Sequence, residues 1–197
     1  MSKRGVRVLD APAYVLHASP WRETSLLAQC FSRDHGLVVL VAKGAKRPYS
    51  VLRPVLVAFQ PLSLSWSVGT GDIHTLTRAE SGPVRLLAGR AMLSAWYLNE
   101  LILRLLGRED PHPGVYDAYD AALDALALGA GQPLAPALRR FEWLLLEQAG
   151  YGVDGPPPDF DDVAQEPALR QALRERLDQL LETPLRTRQV LMDLQRY

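Results

Sequence analysis

A single cysteine among 197 residues rules out an internal disulfide and any zinc site built on several thiolates. Cys30 lies in the apolar stretch SLLAQCF, where it reads as a small core residue, and a reducing cytoplasm is the expected compartment. Apolar runs long enough to cross a bilayer are missing as well. MSKRGVRVLD carries basic residues with no apolar stretch behind them, so no secretory signal is expected. Histidine is scarce and scattered, at positions 17, 35, 74 and 112, with no i, i+4 pair and no HExxH motif to hold a metal. No GxSxG elbow is present. AKGAKRPYS lacks the two spaced glycines and closing Lys-Ser/Thr of a phosphate loop, and GTGD is a turn signal. Neither an enzyme nor a cofactor is therefore expected.

Net charge is also missing, since 22 Lys and Arg balance 22 Asp and Glu. The balance hides an asymmetry. Residues 1–80 hold ten cations and five carboxylates; residues 81–197 hold twelve and seventeen. A basic front and an acidic back point to two units with different partners, although modest offsets also arise in proteins that bind nothing charged.

The front reads as β structure. Short segments rich in β-branched and large apolar residues cover 13–18, 24–32, 37–43, 55–66 and 72–79, separated by turn signals at Ser19-Pro20, Asp34-His35-Gly36, Gly44, Pro54 and VGTGD. In LSLSWS, Leu62, Leu64 and Trp66 alternate with serines, which predicts one buried face. Pro61 marks that segment as an edge strand or a bulge. Five strands without intervening helices predict a small barrel over 1–80. From residue 81 the period becomes helical. Helices are expected over 84–107, 114–129, 135–150, 167–182 and 185–196, with a Pro-rich, acidic, irregular segment over 151–167. The fold class is thus α+β, a five-stranded barrel followed by an all-α domain. Phe31, Leu40, Trp96 and Leu101 are expected core residues, as is Trp66, for which a stacking surface is the minor alternative.

LVVLVAKGAKRP, residues 37–48, joins an apolar strand to three cations. Lys43, Lys46 and Arg47 sit between strands, while Arg22, Arg33 and Arg53 fall near other strand ends. If those ends converge, the charges form a groove that follows a phosphate backbone, with Gly44 and Ala45 keeping the loop slim and Trp21 and Tyr49 offering stacking faces. A solvated loop is the equally weighted alternative on charge alone. A different class of function, a non-catalytic adaptor whose barrel binds acidic peptide tails, fits the same cations.

The ordered motifs WRETSLL, VAKGAKR and LRRFEWLLLEQAGYG, with LVAFQPLSLSW, GDIHTLTRAE and WYLNELILRLL around them, resemble the RecO family of bacterial DNA repair proteins over most of residues 13–153. Leu185-Arg186-Thr187-Arg188 resembles the family's closing Leu-Lys-Ser-Arg. The resemblance implies an N-terminal OB-fold and a helical C-terminal region. It implies a nucleoid-associated recombination mediator without turnover, which binds single- and double-stranded DNA, anneals strands and helps load RecA onto DNA coated by single-strand binding protein. RecR and the acidic tail of the single-strand binding protein are the implied partners. The family's DNA-binding loop maps to Lys43, Lys46 and Arg47, and Arg139, Arg140 and Phe141 are the candidates for receiving the tail. Many members carry zinc-binding cysteines after GYG; this chain has none there, and its segment before the final helices is shorter.

Overall fold

A computed structural model describes residues 6–128, 134–152 and 155–194, with side chains described up to Val190. Gly129, Val153, Asp154, Gln195 and Arg196, which fall in predicted helices or the Pro-rich segment, lie outside that range. The chain divides into two units, one holding residues up to Arg85 together with Gly107–Tyr116, the other Leu86–Leu106 and the residues from Asp117 on.

Five strands build the first unit: β1 (Arg7–Trp21), β2 (Ser25–Ser32), β3 (Gly36–Ala42), β4 (Leu62–Ser67) and β5 (Ile73–Ser81). They close in the order β1-β2-β3-β5-β4, with β3 and β5 parallel and the other pairs antiparallel. This is the partly Greek-key barrel of an OB-fold. Alternate residues of each strand fill its interior, among them Ala13 and Val15, Ala28 and Cys30, Val38 and Leu40, Leu64 and Trp66. Burial pushes the Cys30 thiol up to about 12.

Two expectations change. Residues 55–61 are not strand: they curl through local bonds such as Leu56 N to Leu52 O at 3.0 Å, after a proline that cannot donate to a ladder. Pro61 precedes β4, which is no edge strand because closure pairs it with both β1 and β5; its register shift falls at Ser65/Trp66 instead. Phe31 is buried, but on the outer face of β2, where it and its cross-strand partner Tyr14 pack against Tyr116 with ring centroids 5.7 and 5.4 Å away. That contact explains why residues 107–116 belong with the barrel. Glu109 N also donates to Leu37 O at 2.9 Å, and Glu109 Oε1 lies 3.0 Å from His74 Nε2.

Helices build the second unit: α1 (Gly89–Leu105), α3 (Ala135–Gln148), α4 (Glu166–Leu180), α5 (Arg186–Leu194) and the greater part of α2 (Pro113–Leu128). Ala91, Ala95, Leu98 and Ile102 form the buried stripe of α1, flanked by Tyr97 and Leu101. Trp96 lies off that stripe and, like Met92 one turn before it, is 38% exposed, which corrects its assignment to the core. Glu100 joins α1 to α5: its carboxylate accepts from Arg186 N, Thr187 N and Thr187 Oγ1 at 2.8, 2.9 and 2.7 Å. It caps the start of α5.

Candidate nucleic-acid interface

The β1–β2 turn, Arg22-Glu23-Thr24, and the loop after β3 meet at one end of the barrel because β2 is antiparallel to both of its neighbours. Trp21 faces Ser25 and Leu26 faces Ala42 in the ladders, so the ends of β1 and β3 flank the start of β2. Lys46 N donates to Thr24 O at 2.8 Å and Lys46 Nζ to Arg22 O at 3.5 Å, tying the two loops. Gly44 turns the chain at φ +72°, a conformation that suits a residue without Cβ. Ala45 does not serve slimness. It is fully buried and closes the end of the barrel core, which leaves Lys43, Lys46 and Arg47 outside. Arg22 itself holds φ +52°, a strained setting for a non-glycine residue.

Between these loops lies an open cleft of about 730 Å³. Arg22, Lys43 and Arg47 supply its cations and Glu23 one carboxylate; Trp21, Val41 and Ile73 supply apolar surface. The arrangement offers guanidinium and ammonium donors for anionic oxygens beside flat and branched apolar faces.

The six predicted basic residues do not all gather here. Lys46 stands beside the cleft on the tied loop. Arg53 is exposed on the β3–β4 connection and does not line it. Arg33 follows β2 at the other end, 3.5 Å from Asp34. With eight residues at about 3.3 Å each, β2 holds Arg33 about 26 Å from the cleft end. Consecutive hairpin turns of antiparallel strands always fall at opposite ends, so Arg33 cannot share the groove drawn from the sequence. Tyr49 is fully exposed and also lies outside the cleft lining, whereas Trp21 forms part of it. Ile73 and Val41 were absent from the sequence reading. Their strand character was visible, but the face each presents depends on register.

On α3 the three tail candidates separate. Phe141 is buried, with its ring 6.2 Å from that of Tyr119. Arg139 is buried too, with Nη2 3.1 Å from Glu142 Oε1, which also accepts from Tyr97 Oη at 2.7 Å. Burial raises the Glu142 carboxyl against the pull of Arg139 and Tyr97; burial and the adjoining carboxylate hold the Tyr97 hydroxyl well above its usual value. Both residues are thus core groups rather than a docking surface. Arg140 alone is outward. Its guanidinium lies 5.4 Å from the Phe160 ring centroid and 3.4 Å from Asp161 Oδ2, so part of the Pro-rich segment folds against α3.

Among the described residues, no three His, Cys, Asp or Glu side chains gather as a metal site, and no helix is long and apolar enough to cross a membrane.

Comparison with known proteins decides the family. The model for "Recombination protein O N terminal" matches residues 7–82 and that for "Recombination protein O C terminal" matches 87–155. The chain belongs to the RecO family. Proteins named DNA repair protein RecO are similar to it in Aromatoleum aromaticum, at 55% identity over 148 residues, and in Ralstonia nicotianae, at 51% over 177. These alignments cover 75% and 85% of this chain, and 60% and 64% of the relatives. The RecO-family chain therefore spans a little under two thirds of the length of these curated relatives. The boundary between the two family matches falls near the end of the OB-type barrel, and the cleft lies wholly within the N-terminal match.

Proposed function

We propose that this RecO-family chain is a DNA-binding recombination mediator whose barrel cleft holds the sugar–phosphate backbone of single-stranded DNA. The observation that carries this reading is the joining of Arg22, Lys43 and Arg47 beside Trp21 on the strand 2–3 face and adjacent loops of an OB-type barrel, the face such barrels use for oligonucleotides. The cations neutralise phosphates with little sequence preference. Holding two complementary strands in turn would promote annealing without turnover, and the helical unit would dock protein partners: RecR, and the acidic tail of the single-strand binding protein at Arg140. Loading of RecA and residence in the cytoplasm at the nucleoid follow from the same reading.

The test is the salt dependence of binding to single-stranded DNA. Each neutralised phosphate adds roughly −0.7 to the slope of log K against log salt, so replacing Lys43, Lys46 and Arg47 together with alanine should flatten the slope by about 2. The triple variant should also lose annealing of complementary strands coated by single-strand binding protein, in the absence of ATP. Unchanged affinity and slope would refute the assignment, and an acidic peptide that displaces DNA poorly but binds tightly itself would favour an adaptor instead.

A further inference from the structure

The cleft is more than a line of cations, and its apolar part has a definite layout. Trp21, Ser25, Val41 and Ile73 belong to β1, β2, β3 and β5, which are successive neighbours in the barrel. Directly paired residues share a face. Cys30 and Ala28 point into the core, so Ser25 and Leu27 of the same strand point outward, and with them their partners Trp21, Ser19 and Val41. Ile73 pairs in parallel with Val39, which shares the outward side with Val41. A strip with apolar side chains on β1, β3 and β5, and Ser25 of β2 between them, therefore crosses four strands, about 14 Å at ~4.8 Å per strand. Arg22 and Lys43 follow the strand ends at its margin, and Arg47 stands beside them.

Trp21 faces outward because of a bulge. Before it, Val15 pairs with Cys30 and faces the core. After the register shift between Val15 and His17, odd-numbered residues pair with the outward residues of β2. Without the shift, Trp21 would point the other way. Trp21 is 36% exposed, so part of its ring surface is open to a ligand in the cleft.

From this layout we infer that Trp21 is a stacking platform for an unpaired nucleobase, and that the cleft selects single strands by taking bases onto the strip while the cations hold their phosphates. This rests on the reading of the cleft as a DNA site and specifies its substrate. Bases in a duplex are stacked on one another and offer no free face to an indole. A single strand does. Glu23, the carboxylate in the lining, disfavours phosphates at its own position and so helps to fix which side of the strand faces the strip.

The test uses the full chain and two labelled oligonucleotides of equal length and phosphate number, oligo(dT) and its fully abasic counterpart, titrated by fluorescence anisotropy at low salt. Wild type should bind oligo(dT) more tightly than the abasic strand by about 5- to 150-fold, the range expected for one stacked base. Trp21→Ala should remove most of that gap while leaving abasic binding in place, and Trp21→Phe should keep most of it. Retained abasic binding also reports that the variant is folded. Equal binding of both strands by wild type, or a Trp21→Ala loss that is the same for both, would overturn the stacking role while leaving the cleft as a phosphate site. Failure of wild type to bind either strand would instead overturn the DNA reading itself.

Discussion

Substituting Gly36 with alanine should damage the barrel far more than the same change at Gly44, although both glycines have positive φ, +66° and +72°. Gly36 opens β3. A Cβ added there would come within 2.5 Å of the Asp110 carbonyl carbon and 2.7 Å of its amide nitrogen, and closer still to the carbonyl oxygen. All are backbone atoms, held in place because Glu109 bonds to Leu37 and His74. At Gly44 the new methyl would meet only the Arg47 side chain, at 3.5 Å, an ordinary contact with a movable group. The left-handed conformation costs a non-glycine residue roughly 1–2 kcal/mol at either position. Overpacking against fixed backbone adds about 1–3 kcal/mol or more at Gly36 alone. Gly36→Ala is thus expected to cost about 2–5 kcal/mol and Gly44→Ala about 1–2. With Trp96 and Trp143 changed to Phe, the remaining Trp66 and Trp21 report unfolding of the barrel by fluorescence in urea. At a slope of ~2 kcal/mol/M the midpoint should fall by about 1–2.5 M for Gly36→Ala and by ~1 M or less for Gly44→Ala. Equal losses in the two variants would refute the steric argument, since the conformational cost is common to both.

Other outcomes follow from buried and capping groups. Desolvation works to raise the Glu100 carboxyl, but hydrogen bonds from Thr187 and Arg186 outweigh it and lower it below its ordinary value of 4.5. Its contribution is therefore complete above about that value and lost as pH falls through the lowered one. Glu100→Gln should destabilise the attachment of α5 by about 1 kcal/mol at neutral pH, with the difference from wild type fading below pH 4.5 in thermal melts; a constant difference would exclude the carboxylate as the cap. Cys30, with its thiol pushed up to about 12 in the barrel core, should resist a thiol-specific disulfide reagent at pH 8 until the barrel opens, so rapid labelling of native protein would contradict its burial. Glu142→Ala should cost the helical unit roughly 3–5 kcal/mol by leaving Arg139 charged and unpaired in the interior. Retained stability by circular dichroism would show that Arg139 swings out to water.

Periodicity by itself determined the main plan of this molecule. Alternation in LSLSWS, the apolar run ahead of Lys43 and the 3–4 spacing past residue 84 each reflect a local rule, that one side of a strand or helix must leave water, so element type and most core residues were legible. The cationic loop was legible for the same reason, because a charge run after a core strand has to stay outside. What the chain could not reveal locally was which surfaces meet. Arg33 looked like part of the basic groove until the hairpin register put it at the far end of β2. Arg139 and Arg140 read alike in the sequence, each a tail candidate, a solvated cation or a partner of Glu142, but a helix turns 100° per residue, and the packing of α3 buries one guanidinium beside Glu142 while leaving its neighbour outside. Residues 107–116 read as the link between two helices with the first turn of the second, yet Tyr116 and Glu109 pack on the barrel. Trp21 faces the cleft only because a single extra residue in β1 reverses the parity of the strand. Such a bulge obeys the partner strand across the ladder, and that partner is a tertiary fact.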